Sequence, residues 1–256
     1  MEIKDLAWNE NQSKRFNNPL FPKSIRGLIV GKSGCGKTTL LLNFLLRSGW
    51  LDYENLIIFG KSLFQPEYRI LKKAFEEQLS KEAILRIFDN QNEIYSPIPL
   101  LEEMAKDQTH KSDIKCQFHE SSSDVVDPKE LNYNEKNLIV FDDLLLEKQN
   151  KCEDYYTRGR HSNVDCFYLT QNYFRLPRQT IRENVNFICL FPQDLKNINH
   201  IYTDHVSSDM SKEEFRNLCK IVWDKPHSFV VIDLSSKNNE GKYRRGLDDF
   251  YICKNI

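Results

Sequence analysis

Residues 25–39 bring together the groups needed to hold phosphate: Ile25-Arg26-Gly27-Leu28-Ile29-Val30-Gly31-Lys32-Ser33-Gly34-Cys35-Gly36-Lys37-Thr38-Thr39. A short apolar strand runs into the spacing GxxxxGK[ST], and an apolar helix follows at once. That is the context a phosphate-binding loop requires. The glycines Gly31, Gly34 and Gly36 free the backbone to turn, so that N–H groups along Lys32, Ser33 and Cys35 line an anion nest. The following helix, with Thr39 in its first turn, adds unpaired N–H groups and the positive end of its dipole. Lys37 is spaced to reach the β- and γ-phosphates, and the Thr38 hydroxyl to ligate Mg²⁺. The expectation is a site for ATP with Mg²⁺.

A second pattern is Asn137-Leu138-Ile139-Val140-Phe141-Asp142-Asp143-Leu144, an apolar strand ending in two acids. In an open α/β sheet the C-terminal strand ends gather at the ligand edge, which puts these acids beside the phosphate loop. Asp142 then joins Thr38 in the Mg²⁺ shell, through water, and Asp143 polarises the attacking water. The plain alternative is a helix N-cap, a position Asp favours. A third strand tip, Tyr168-Leu169-Thr170-Gln171-Asn172, presents Gln171 as a γ-phosphate sensor; its alternative is a turn-forming pair.

Residues 155–182 hold Arg158, Arg160, Arg175, Arg178 and Arg182, with His161, against the single acid Asp165. One or two of these arginines can serve as a finger on a neighbour's γ-phosphate, Arg160 first, then Arg158, with Arg178 and Arg182 next. Others can touch nucleic-acid phosphates. A solvated basic face is the bland reading of each. Lys242, Arg244 and Arg245 are a weaker DNA-contact cluster.

These groups must be carried by alternating strands and helices. Strands are expected at 25–30, 55–60, 138–141, 166–170, 187–191 and 229–234, with a further one at 250–253. Helices are expected at 39–47, 66–88, 145–160, 177–185, 193–203 and 211–223. Apolar strands alternating with helices imply a parallel sheet covered on both faces. Residues 1–24 read as a polar arm with Pro19 and Pro22, and 25–256 as one ATPase domain. Residues 89–136, polar and aperiodic, read as an insertion or long loop with one short helix at 100–107.

The chain has 256 residues, is 40% apolar and has a net charge of −1, so any nucleic-acid contact must be a local patch. Seven cysteines (Cys35, Cys116, Cys152, Cys166, Cys189, Cys219, Cys253) form no CxxC pair and read as reduced thiols of an intracellular protein. No signal peptide or membrane span is indicated. The expected location is the host cytoplasm or nucleus, or a virion, without secretion. His110, Cys116 and His119 match no common zinc spacing and read as surface-loop residues.

On these residues the chain resembles the FtsK–HerA superfamily of DNA-pumping ATPases. It is most similar to the poxvirus-type genome-packaging branch found in large DNA viruses, virophages and Polinton/Maverick-like elements. The resemblance rests on GKSGCGKTTLL at 31–41, LIVFDDL at 138–144 and, most specifically, GRHSNVDCFYLTQNYFRLPRQTIRENVNFICLF at 159–191. It implies an α/β three-layer sandwich with a mainly parallel sheet. It also implies an additional-strand, RecA-like core, in which the Gln171 strand lies between the phosphate-loop and acid-bearing strands. The implied partners are double-stranded DNA, further copies in a pentameric or hexameric ring, and a capsid or portal-like protein. Asp143 stands where many relatives carry Glu, one methylene longer.

A nucleotide or nucleoside kinase is the competing enzyme class, with Arg158–Arg160 as a lid. The strand–helix–strand–Gln order suits attack by water better. No LSGGQ-like segment supports an ABC-type ATPase. A nucleotide-gated assembly protein without turnover is the non-enzymatic alternative.

Overall fold

The computed structural model describes residues 17–90 and 97–251. The first sixteen residues of the expected arm lie outside the described residues, as do 252 and 253 of the last expected strand.

Among the described residues, nine strands form one sheet. In chain order they are β1 (Arg26–Val30), β2 (Asn55–Gly60), β3 (Lys115–His119), β4 (Asn137–Asp142), β5 (Val164–Thr170), β6 (Phe187–Leu190), β7 (Val230–Asp233), β8 (Tyr243–Arg245) and β9 (Asp249–Tyr251). The spatial order is β3-β2-β4-β5-β1-β6-β7-β8-β9. The six strands from β3 to β6 are mutually parallel, and β7, β8 and β9 continue antiparallel. β5 lies between β1 and β4, with Leu28 opposite Tyr168 and Phe141 opposite that same tyrosine. This is the arrangement the resemblance implies.

The helices are α1 (Lys37–Leu46), α2 (Pro66–Glu76), α3 (Lys81–Asp89), α4 (Pro97–Lys106), α5 (Asn150–Arg158), α6 (Leu195–Ile201) and α7 (Lys212–Val222). Two apolar cores flank the sheet, which makes three layers. One joins Ile29, Leu41, Phe44, Tyr68 and Phe167; the other joins Leu28, Phe141, Tyr155, Ile198 and Phe215. Successive residues of one strand feed opposite cores, so every position of β4 is buried. Its run of apolar residues follows from coverage on both faces.

Several boundaries differ from the periodicity. The expected helix 66–88 is two helices. The chain turns at Gln78, whose φ is 58°, and Ser80 caps α3 by accepting from the Ala83 N–H at 3.3 Å. The expected helix 145–160 starts only at α5. Before it, the Gln149 side chain donates to the Glu147 carbonyl at 3.0 Å and holds 143–149 as a loop. Within 89–136 the structure has the short helix, as α4, and also β3, paired in parallel with β2. β3 carries the apolar signal of an edge strand only (KCQFH, partly exposed), too weak a pattern to read as sheet. Cys116 and His119 therefore sit on a strand rather than a surface loop, with His119 stacked on Phe59 at 5.1 Å. β8 was likewise unforeseen. Among the described residues, no helix is long and apolar enough to cross a membrane.

Candidate nucleotide site

Because β1, β2, β4, β5 and β6 run parallel, their C-terminal ends share one edge, and the chemistry-bearing residues meet there. The phosphate loop leaves β1 and enters α1 through Gly36, whose φ is 106°. Gly31 is closely packed: a Cβ there would fall 2.3 Å from the Cys35 Sγ and 2.8 Å from the Phe191 Cβ. Gly34 has φ 73° and nothing within 4 Å of an added Cβ, so its backbone faces open space. A cradle bare of side chains at the amino end of a ten-residue helix fits an oligophosphate. Lys37 Nζ donates to the carbonyls of Gly31 at 2.8 Å and Lys32 at 2.9 Å, which holds its ammonium across the loop.

A cleft of about 620 Å³ opens over the loop and is lined by Ser33, Gly34, Gly36, Lys37, Thr38 and Thr39 together with Asp142, Asp143 and Gln171. The structure therefore brings the three sequence patterns to one cavity. Asp142 ends β4 and is buried. Its Oδ2 accepts from the Tyr68 hydroxyl at 2.7 Å, and Thr38 lines the same cleft. Burial pushes the Asp142 carboxyl up from its usual range, while Tyr68 and Lys37 pull it back and Asp143 adds to the rise. The Tyr68 phenol is pushed far up by burial and by Asp142 beside it. Thr38 and Asp142 are hard oxygen donors lining one cleft, a donor set that suits Mg²⁺.

Asp143 turns outward with φ 53°, a conformation costly for a residue with a Cβ. The turn exposes its carboxylate, and the Gln171 amide at the tip of β5 donates to its Oδ2 at 3.2 Å. Neither residue is an N-cap: α5 begins seven residues beyond Asp143.

Gln65 and Glu67 at the opening of α2 and His227 and Phe229 before β7 also border the cleft, and Tyr68 beside them reaches Asp142 from behind it. None carries a motif, and only the packing of α2 and the left-handed His227 (φ 58°) reveals them.

The arginines separate. Arg158 pairs with Asp154 one turn back on α5. The Arg160 and His161 side chains lie outside what is described. Arg175 is exposed, and Arg178 pairs with Glu183 at 3.4 Å. Arg182 is buried, bonded to Asp204 at 3.0 Å and set over the Tyr173 ring at 5.3 Å. Arg244, on β8, is buried against Asp233 at 2.5 Å, and Lys242 pairs with Asp209. Arg182 and Arg244 therefore lie in the interior, which corrects the reading of Arg182 as a candidate finger or phosphate contact and of Arg244 as a DNA contact. An internal carboxylate partner explains both placements, Asp204 for Arg182 and Asp233 for Arg244.

No curated protein matches the chain by sequence. Among solved structures it is similar to the genome packaging NTPase B204 from Sulfolobus turreted icosahedral virus 2 in complex with AMP. The identity is 11%, 87% of this chain and 96% of that chain are covered, and the TM-score is 0.51. It is also similar to VirB4 of Thermoanaerobacter pseudethanolicus, at 12% identity, with 89% and 95% covered and a TM-score of 0.49. The B204 likeness establishes the P-loop NTPase fold. The sequence matches the family described as Poxvirus A32 protein over residues 13–242. That match spans the phosphate loop, both acids, the sensor strand and β7, and so the chain belongs to the poxvirus A32 protein family.

Proposed function

We propose that this chain, a viral DNA-packaging ATPase by its family, translocates double-stranded DNA into a preformed capsid by hydrolysing ATP. The observation that carries the reading is the shared cleft, in which Lys37 and Thr38 face Asp142, Asp143 and Gln171. Gly31–Thr38 bind the triphosphate through backbone N–H groups, and Lys37 holds its β- and γ-phosphates. Thr38 and Asp142 would hold Mg²⁺, which supplies charge neutralisation on the phosphate oxygens. Asp143 accepts the proton of the attacking water, and Gln171 orients that water or the γ-phosphate through its amide. The 3.2 Å bond between these two side chains puts them in one hydrogen-bonded unit, as in-line hydrolysis needs.

The finer reading is a ring of copies around the duplex, with Arg160 or Arg158 reaching the neighbouring subunit's site as a finger. Exposed basic residues grip the backbone, so binding is weakly sequence-dependent and strongly salt-dependent. The partner at the capsid is a capsid or portal-like protein, and the place of action is the infected cell or the virion. The reading is tested by ATP hydrolysis with and without long duplex DNA, beside Lys37→Ala. Several-fold stimulation by duplex, lost in Lys37→Ala and reduced by salt, is the expected result. Hydrolysis indifferent to duplex overturns the translocase.

A further inference from the structure

The sheet order divides the cleft in two. β5 and β4, with Gln171, Asp143 and Asp142, lie on one side of the phosphate-loop strand, and β6 and β7 lie on the other. The acids on the first side receive the γ-phosphate end, so the nucleoside half of the ligand must leave towards β6 and β7. There the cleft is lined by Leu40 and Asn43 of α1, by Phe191 following β6, and by His227 and Phe229 preceding β7.

His227 is held for that position. Its φ of 58° is a left-handed conformation in a residue with a bulky side chain, strain of the kind stored at ligand sites. The loop carrying it is tied at both ends. Trp223 Nε1 donates to the Leu190 carbonyl at 3.1 Å, and the Phe229 ring packs on Phe191 with centroids 5.3 Å apart. The imidazole bonds the phosphate loop itself through Nδ1, 3.1 Å from the Cys35 carbonyl. A carbonyl only accepts, so Nδ1 carries the hydrogen and Nε2 of the neutral ring keeps its lone pair. The ring also stands over Gly36, where an added Cβ would lie 3.4 Å from Nδ1. An exposed histidine thus gains a fixed plane beside the amino end of α1.

We propose that His227, backed by Phe229, forms the wall that holds the base and ribose of the bound nucleotide, as a positioning subsite separate from the phosphate loop. The inference rests on the nucleotide reading above. The test compares binding of Mg·ATP and Mg·tripolyphosphate, an oligophosphate without a nucleoside, to the full chain, to His227→Asn and to Lys37→Ala. Asn tolerates the left-handed backbone, so this variant removes the ring without adding strain. ATP affinity is expected to fall about five- to tenfold in His227→Asn, the loss of roughly one modest contact, with tripolyphosphate affinity unchanged. Lys37→Ala is expected to lose both ligands. Photolabelling with 8-azido-ATP is expected to mark residues 223–229. Equal loss of both ligands in His227→Asn, unchanged ATP affinity, or labelling confined to other segments overturns the subsite while leaving the nucleotide site standing. A wild-type chain that binds neither ligand overturns both.

Discussion

Tyr68 donates its phenolic hydrogen to Oδ2 of Asp142 across 2.7 Å, deep beside the phosphate loop. The bond ties the opening of α2 to the tip of β4 and fixes the direction of a carboxylate that burial would otherwise leave short of partners. Tyr68→Phe removes the hydroxyl and leaves the ring packing intact. Losing a hydrogen bond to a buried charged group costs about 1.5–3 kcal/mol. Thermal unfolding of the variant is expected to show destabilisation of that order. Mg²⁺-dependent hydrolysis is expected to need more Mg²⁺ for half-maximal rate.

Asp142 itself is expected to oppose stability at neutral pH. Its carboxyl is raised in the fold, chiefly by burial. Between its ordinary value and the raised one, the folded chain binds more protons than the unfolded chain. Its favourable contribution is therefore full at low pH and is lost as pH rises through the raised value. Asp142→Asn removes that loss. At pH 7, without nucleotide or Mg²⁺, the variant is expected to melt a few degrees higher than wild type while hydrolysis falls below detection.

His205 is expected to give the opposite slope. Burial holds its imidazole down at about 4, with Lys242 and Arg182 contributing and Asp204 opposing. The unfolded chain takes up a proton near 6.5 that the folded chain refuses, so stability is complete above that value and drains away as pH falls towards 4. Its ring meets the Tyr173 hydroxyl at 2.8 Å, and that hydroxyl donates to Asp204 at 2.9 Å. Nε2 is therefore the donor, and Gln can replace it. Urea unfolding of His205→Gln is expected to show a flatter acid limb over this window.

The pair formed by Asp143 and Gln171 separates catalysis from folding. Asp143→Asn preserves the left-handed turn and removes the base. The expected outcome is a kcat lower by about 100-fold or more with near-native stability. Asp143→Ala is expected to lose the same activity and about 1 kcal/mol of stability besides, because Ala has no local hydrogen bond to offset a positive φ. Gln171→Ala is expected to lower kcat with little change in nucleotide affinity. Steady-state kinetics beside thermal melts distinguish the three.

Two arginines of the basic stripe are expected to behave differently. Arg182→Met leaves the Asp204 side chain without its cationic partner, at a cost of about 3–5 kcal/mol, seen in denaturant unfolding. Arg175→Ala, at an exposed site, is expected to leave stability unchanged, to weaken duplex binding, and to reduce the slope of log affinity against log salt by about one.

Local pattern and tertiary structure contributed differently to the site. The phosphate loop was legible because its glycines and Lys37-Thr38 lie within one short run whose chemistry depends on spacing alone. The acid-bearing and sensor strands were legible because a parallel sheet sends every C-terminal strand end to the same edge. α2 and α3 were not separable, since Tyr68, Leu71, Phe75 and Leu79 keep helical spacing while only Gln78 and Ser80 mark the break. β3 escaped because an edge strand is half exposed and its apolar alternation is faint.

By itself, then, the sequence determined the α/β class, the phosphate loop and the pair of strand tips beside it, because these are set by neighbours along the chain. Only the tertiary structure decided which side chains complete the site and which charges face water. Tyr68 reaches Asp142 across 74 residues and His227 reaches Cys35 across 192. Arg182 and Arg244 look like their exposed neighbours in sequence, yet meet Asp204 and Asp233 inside the fold. Burial and long-range partners arise only when the strands pair and the layers close, and a linear spacing holds no record of that geometry.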